Sequence, residues 1–483
     1  MNSETAFLTE SFKWLGPAFL LILAGCVILS GSLFTKRQQP RDATEQRNGF
    51  ATATFGLMIV AFVWQWLRPA PVGNVQLGLF VWDQAAISSE RLAIIGGLIL
   101  ALIGWSIAPK AFLPEFFGCL SIIVGAVSLV GACNDLMALF LTLEMVSIPT
   151  YVMLGTVRGN NESLEAAVKY FLLSAFSSAF FLLGCSYLYG VAGTTDLTVI
   201  VSKASSPDAN FLTLLGIVFV LCGLTFRITA IPFHFYGPDV FQGTNISMAA
   251  LMSYIPKVTG FVVLVRLLSQ ITPDSYVAGK LIPLVIFLAV ITMTVGNTLA
   301  AAQDNLRRLL GYSSVAHSGY ILLGVAALML GSADISVIFT YLLFYAMMNL
   351  GVFAFLAEVE VAGGRNQLID DISGMFYRRP AASVAAVVCL ISLIGLPLTA
   401  GFWAKFQVMS AAIGVGKTEL LVGVIIMAIN AVVAAGYYWK ILAKLFDRSG
   451  NLSPLPIWRP TLFLAYSICA ALTLIWFFVG SGM

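Results

Sequence analysis

The sequence predicts an all-α polytopic membrane protein of about fourteen spanning helices, and three observations predict it. Hydrophobic residues make up 59% of the 483-residue chain and charged ones 10%, far from the roughly 25% charge of a soluble domain. Apolar runs recur from one end to the other, each near the roughly 20 residues that span a bilayer as a helix. The connections are short, and the longest, near 68–90 and 359–380, run only some 22 residues. None houses a soluble catalytic domain.

Taken in order, the runs lie near residues 14–34, 50–67, 91–108, 115–132, 134–156 and 164–190. The second half adds 210–231, 244–269, 281–301, 306–330, 334–358, 382–412, 419–445 and 460–480. The first run contains Leu23-Ala24-Gly25-Cys26, which looks like a lipoprotein cleavage box. Glu4 and Glu10 precede it and Lys36-Arg37 follow it, the reverse of a signal peptide's charge order, so the run reads as a retained helix.

Basic residues stay on the cytoplasmic side of a membrane. One alternate set of connections holds fourteen Lys and Arg, including Lys36, Arg37, Arg41, Lys110, Arg158, Arg307, Arg308 and Arg365, against six in the other set. The bias puts both termini outside. The net charge of +3 therefore speaks of orientation, not of an acidic or nucleic-acid partner. The seven cysteines sit singly in apolar runs without a CxxC pair, and the chain has two histidines. They read as small core residues rather than as disulfides, zinc ligands or iron–sulfur ligands.

The chemistry rests on ionisable residues inside the apolar runs: Glu144, Lys169, Arg227, Lys257, His317, Lys405 and Lys440. Each buried charge costs about 2.5 to 3.5 kcal/mol on the insertion scale, so six cost roughly 15 kcal/mol before pairing. The default compensation is an ion or proton path within the bundle. Two of these cations sit beside segments that interrupt a helix at membrane depth. One is Arg227-Ile228-Thr229-Ala230-Ile231-Pro232-Phe233-His234, and the other runs from Gly395-Leu396-Pro397 to Lys405. Proline removes a donor and frees carbonyls that can hold water or a cation, and interrupted helices in corresponding places point to a transporter built of repeats. Separations of 173, 178 and 183 residues relate Glu144 to His317, Arg227 to Lys405 and Lys257 to Lys440. Spans 4–8 and 9–13 are thus candidate repeats, with coincidence the alternative.

Buried lysine amines toggle between charged and neutral as a carboxylate approaches or leaves, whereas arginine keeps its proton. Glu144 reads as the only acid deep in a span and the natural partner of a cation from another helix. Arg227 is the expected partner, acting by exchanging contacts, with Lys257 and Lys405 the better carriers. Other readings stay open for several residues. Lys169 lies four after Glu165 near a helix start, a place for an interfacial ion pair. Arg266 and Lys440 lie near span ends and are candidates to snorkel. His317 reads also as a satisfied core histidine, and His234 as a cap of the broken helix. Gly416-Lys417-Thr418 resembles the tail of a phosphate loop, but Ala411 replaces its first glycine and no strand precedes it. No nucleotide site is expected.

Several stretches together resemble the antiporter-like subunits of proton-pumping NADH:quinone oxidoreductase, respiratory complex I, and among them subunit N. They include Leu141-Thr142-Leu143-Glu144-Met145-Val146-Ser147-Ile148-Pro149, Ile231-Pro232-Phe233-His234 with Pro238-Asp239-Val240-Phe241-Gln242-Gly243, and Pro256-Lys257. They continue through Asn305-Leu306-Arg307-Arg308, Ala316-His317-Ser318-Gly319-Tyr320 and Gly401-Phe402-Trp403-Ala404-Lys405. The resemblance implies fourteen helices in two inverted five-helix repeats with broken helices 7 and 12. In this chain that gives a three-helix segment at 1–114, repeats at 115–269 and 281–445, and a C-terminal helix at 446–483. It also implies an axis of Glu144, Lys169, Arg227, Lys257, His317 and Lys405, with arginine at 227 where the family usually has lysine. His234 and Lys440 are secondary.

The resemblance further implies that this chain translocates protons. NADH, flavin, iron–sulfur clusters and quinone belong to partner subunits in an energy-transducing membrane such as the bacterial inner membrane. A cation/proton antiporter without redox partners, of the Mrp kind, is the alternative. A subunit that does not pump is a further one, for which Arg227 is the only hint.

Overall fold

The computed structural model describes residues 3–31, 42–69, 73–109, 112–155, 161–207, 209–363, 368–448 and 459–480. Lys36, Arg37, Arg41, Lys110, Arg158 and Arg365 of the orientation count lie outside the described residues. The helices of the first half are α1 (Ser3–Gly31), α2 (Asp42–Leu67), α3 (Gln84–Ile107), α4 (Leu113–Val130), α5 (Leu136–Gly155), α6 (Asn161–Ala192), α7 (Leu197–Ser205), α8 (Phe211–Arg227), α9 (Tyr236–Gly243) and α10 (Ile246–Leu268). The second half adds α11 (Tyr276–Ala301), α12 (Leu306–Met329), α13 (Ile335–Gly363), α14 (Met375–Arg378), α15 (Pro380–Ile394), α16 (Ala400–Gly414), α17 (Thr418–Phe446) and α18 (Pro460–Gly480).

Among the described residues, eleven helices are long and apolar enough to cross a membrane: α1 to α6, α10 to α13 and α17. The apolar helices α8, α15 and α18 are shorter. The run expected near 382–412 is divided at Gly395 and Pro397, and the run expected near 210–231 ends early at Arg227, ahead of Pro232. Side-chain caps set several starts. Asp83 accepts from the Ala86 amide at α3 (2.9 Å), and Asn245 from Met248 at α10 (2.9 Å). Asn305 accepts from the Arg307 and Arg308 amides at α12. Each cap satisfies donors that a helix start leaves free.

Every residue of α10 is buried, as expected of a helix that is apolar all round. It packs against α3, α12 and α13 at the centre of the molecule. Small residues let helices approach closely. A Cβ on Gly25 of α1 would lie 2.6 Å from the Gly118 carbonyl oxygen of α4, and one on Gly319 of α12 would lie 2.4 Å from the Met293 nitrogen of α11.

Before α3, residues 75–82 form a hairpin of β1 (Val75–Leu77) and β2 (Phe80–Trp82), antiparallel, with Val75 opposite Trp82. Arg266 anchors it. Its Nε donates to the Cys133 carbonyl (2.8 Å), Nη2 to the Val81 carbonyl (3.0 Å) and Nη1 to Asp83 Oδ2 (2.7 Å). Arg266 is 5% exposed, so the expected snorkelling is replaced by a buried staple. Val81 of the hairpin, the Asp83 carboxylate and the Cys133 carbonyl take up its donors in place of water.

The two breaks shape the interior. α8 stops at Arg227, and Thr229 adopts a φ of +56° before α9 begins at Tyr236. α15 stops at Ile394, and Gly395 takes a φ of +86°. The Gly395 amide donates to Ser392 O (2.9 Å) and the Leu396 amide to Ile391 O (3.3 Å), a glycine-capped helix end. Pro397 follows, and α16 starts at Ala400.

Candidate functional site

The site begins at a polar cavity of about 200 Å³ among the starts of α6 and α12 and the short α9. Asp239 is its hub. One carboxyl oxygen accepts from Lys169 Nζ (2.9 Å) and the other from Arg308 Nη1 (2.6 Å). Lys169 also pairs with Glu165 one turn earlier (2.7 Å), and its side chain is 42% exposed. Tyr170, the next residue, packs inward on Tyr151, Phe226 and Tyr236.

Deeper, Glu144 of α5 meets Arg227 at the end of α8. Arg227 Nη2 lies 3.2 Å from Glu144 Oε1, and Ser178 Oγ of α6 donates to the same oxygen (2.7 Å). The other arm of Arg227 reaches Ser147 Oγ (2.9 Å) and the Leu143 carbonyl (3.4 Å). A cation in the last turn of a helix is favoured by the carbonyls that end there. With Arg227 only 7% exposed, its charge is met by Glu144, Ser147 and the Leu143 carbonyl rather than by solvent.

Beyond the first break the polar groups continue without a carboxylate. Lys257 of α10, 1% exposed, donates to the Ser314 carbonyl of α12 and lies 5.0 Å from the Tyr345 ring centroid. The Tyr345 hydroxyl donates to Ser314 Oγ (3.0 Å), and its ring is 5.1 Å from that of His317. His317 Nδ1 is 2.9 Å from the Tyr341 hydroxyl, and its ring is 5.5 Å from Tyr320. Lys405 of α16 is 5.3 Å from the Tyr320 ring. The resulting order is Lys257, Tyr345, His317, Tyr320, Lys405.

Lys405 Nζ donates to the Leu393 and Ile394 carbonyls (2.9 and 2.7 Å). These carbonyls end α15 and lose their helical partners because the helix breaks there. The break makes the site for the amine. Among the described residues neither Lys257 nor Lys405 has a carboxylate within ion-pair distance. The network then runs outward. Asn297 donates to the Tyr320 hydroxyl (2.8 Å) and accepts from Tyr437 (3.0 Å), and it donates to Asn430 Oδ1 (3.1 Å). Ser318 of α12 ties the two parts together by donating to the Ile228 carbonyl in the first break (2.5 Å).

Of the residues expected from sequence, the structure brings Glu144 together with Arg227, and Lys257 with His317 and Lys405. It sets three apart. Lys169 sits at the polar mouth, His234 accompanies the first break with Nδ1 3.3 Å from the Pro232 carbonyl, and Lys440 lies at the surface. Contrary to the expectation, Glu144 is not the only acid deep in a span, and it is half-buried with a side chain 20% exposed. Glu90 is 0% exposed and pairs with Arg68, and Glu358 is 1% exposed beside Arg379. Glu90 escaped notice because the Asp83 cap starts α3 seven residues before the apolar run implies. Asp239 has no role in the sequence reading and Arg308 only one in orientation, although an acid directly after Pro238, beyond the break, is a usable signal. Tyr320, Tyr345 and Asn297 gave none beyond being polar within apolar runs.

Lys440 pairs with Asp304 (2.6 Å) and its side chain is 47% exposed. The Asp304 carboxyl is held below its ordinary range, first by the Lys440 hydrogen bond and then by its charge. A depressed carboxyl contributes above its unfolded pKa and loses that contribution as pH falls through its folded value. At neutral pH the pair is therefore formed, and solvent screens it. Lys440→Ala is expected to leave the amount of folded protein within about twofold of wild type, checked on native gels. A larger loss would show that the pair braces the fold.

Residues 133–431 match the family described as NADH:quinone oxidoreductase/Mrp antiporter, TM. NADH-quinone oxidoreductase subunit N of Trichlorobacter lovleyi is 40% identical over 326 residues, which cover 67% of this chain and 65% of that relative. Subunit N of Geobacillus kaustophilus is 31% identical over 479 residues, 96% of this chain and 94% of the relative. A chain in the structure of respiratory complex I from Thermus thermophilus superposes with a TM-score of 0.81 at 25% identity, covering 96% of this chain and 97% of that one.

Proposed function

The chain belongs to the family of NADH:quinone oxidoreductase and Mrp antiporter membrane subunits, in its subunit N group, and on that membership we propose that it moves protons along the row from Glu144 to Lys405. It is a membrane subunit of NADH-quinone oxidoreductase. NADH, flavin, iron–sulfur clusters and quinone are left to partner subunits, and redox energy reaches this chain as changes of charge at the end of the row.

One observation carries the reading: five groups of alternating kind, Lys257, Tyr345, His317, Tyr320 and Lys405, stand in sequence through the buried centre. Lysine and histidine can hold or release a proton, and the tyrosine hydroxyls offer a donor and an acceptor along the row. Arg227 keeps its charge, so the Glu144 end works by exchange of contacts. Ser147 Oγ and the Leu143 carbonyl already hold one arm of the guanidinium while Glu144 holds the other. When Glu144 gains a proton, its attraction for Arg227 falls and the arginine remains held by the neutral pair. Lys169, Asp239 and Arg308 form the water-accessible mouth, on the side that the basic connections assign to the cytoplasm.

The architecture proposed with this function has fourteen spans. The eleven long helices and α18 count singly, while α8 with α9 and α15 with α16 each count as one broken span. Two inverted repeats, 115–269 and 281–445, are supported by packing: α6 lies on α8 and α9 as α13 lies on α15 and α16. Both termini lie outside a bacterial inner membrane.

The family also holds Mrp antiporter chains, so a chain working without redox partners is the second reading. Purifying the tagged chain from mild detergent separates the two. Co-purification of flavin and iron–sulfur subunits in fixed ratio is the expected result. Recovery with other antiporter-type chains and no redox subunit would overturn the oxidoreductase reading.

A further inference from the structure

We propose that the cavity beneath the β-hairpin, between the N-terminal half of α1, the end of α2 and the start of α3, binds the phosphate headgroup of an anionic membrane phospholipid. The cavity has a volume of about 420 Å³, and Trp14, Trp66, Arg68, Asp83 and Arg91 stand on its wall. It lies apart from the proton row, on the face of the membrane where α2 ends and α3 begins.

Charge accounting gives the sign of the occupant. Arg68 is neutralised by the fully buried Glu90, and Asp83 by Arg266 at 2.7 Å. Arg91 is left over. It is exposed, and among the described residues no carboxylate lies within ion-pair distance of it; its charge is felt by the neighbouring Glu90, which already pairs with Arg68, and the Trp66 ring lies 5.8 Å from its guanidinium carbon. The cavity therefore carries one uncompensated positive charge on a group suited to two hydrogen bonds with phosphate oxygens.

The surroundings identify the source of that phosphate. Leu67 is 78% exposed, Trp66 69%, Phe12 67% and Val63 45%, so apolar side chains on α1 and α2 lead into the cavity from the membrane side. Tryptophan at a helix end marks the bilayer–water boundary, where its ring sits at headgroup level. A molecule with acyl chains on that apolar surface and its phosphodiester on Arg91 satisfies both features. A soluble phosphate uses only the second.

The test labels native membranes holding the full chain with a phosphatidylglycerol that carries a photoactivatable group at the head of one acyl chain, and maps the labelled peptides by mass spectrometry. Labelling is expected within 63–69 and 84–92. It should fall at least fivefold in Arg91→Gln, survive in Arg91→Lys, be at least fivefold weaker with phosphatidylcholine, and resist millimolar glycerol 3-phosphate. Equal labelling of Arg91→Gln, or displacement by glycerol 3-phosphate, would overturn the proposal, the latter in favour of a soluble anion. Absence of label in a normally assembled wild-type chain would overturn it too, showing the face to be covered by protein.

Discussion

Lys405→Arg should assemble normally yet lower NADH-driven acidification of inverted membrane vesicles by at least tenfold. Arginine keeps the positive charge and retains donors for the Leu393 and Ile394 carbonyls, so the end of α15 stays satisfied. What it removes is the ability to give up a proton. A lysine needed only to fill the break would tolerate that change. Lys405→Met removes charge and donors together, leaving two carbonyls unpaired at about 1 to 3 kcal/mol each, and should lower assembly as well as acidification. The contrast between the variants separates proton transfer from structural support. Vesicle acidification, normalised to the assembled band on a native gel, reads both.

The second large effect is structural. A Cβ on Gly401 would lie 1.8 Å from the Ser392 carbonyl oxygen and 2.7 Å from its carbon, so the backbone of α15 or α16 must move. The Gly401 amide also donates to Ser392 Oγ (2.9 Å), and the same shift breaks that bond. Overpacking costs about 1 to 3 kcal/mol, occasionally more, and here it falls where the carbonyls for Lys405 are placed. Gly401→Ala should therefore deplete the assembled protein severalfold and lower its thermal midpoint. Gly436→Ala, in α17 with nothing within 4 Å of a new Cβ, serves as the control. Normal assembly of Gly401→Ala would mean that the break yields more easily than its packing implies.

Much of this is legible in the sequence. Long apolar runs between short charged connections define spans, because the bilayer accepts little else. Pro232 and Pro397 marked both breaks because a missing donor and a fixed φ leave few alternatives at depth. The Glu144–Arg227 pair followed from charge alone, since a buried acid requires a partner. Depth along a helix was less legible. Lys169 and Lys440 read as members of a buried row, yet both lie near helix ends facing acids from other segments, Asp239 and Asp304. Such partners are long-range, and the sequence does not pair Asp239 with Lys169 or Asp304 with Lys440. Arg266 differs from its expected place for the same reason, its acceptors Val81, Asp83 and Cys133 lying some 130 or more residues away. The tyrosines between the buried cations were hidden by their chemistry, because a tyrosine in an apolar run looks like core until its neighbours are known.

The central claim is that protons travel the row that starts at Glu144, and NADH-driven acidification of inverted vesicles carrying Glu144→Gln tests it most directly. Glutamine keeps the shape and an acceptor for Ser178 while removing charge and titration. The expected result is full assembly on a native gel with acidification reduced at least tenfold. Unchanged acidification with full assembly would contradict the account and leave the Glu144–Arg227 pair a structural brace.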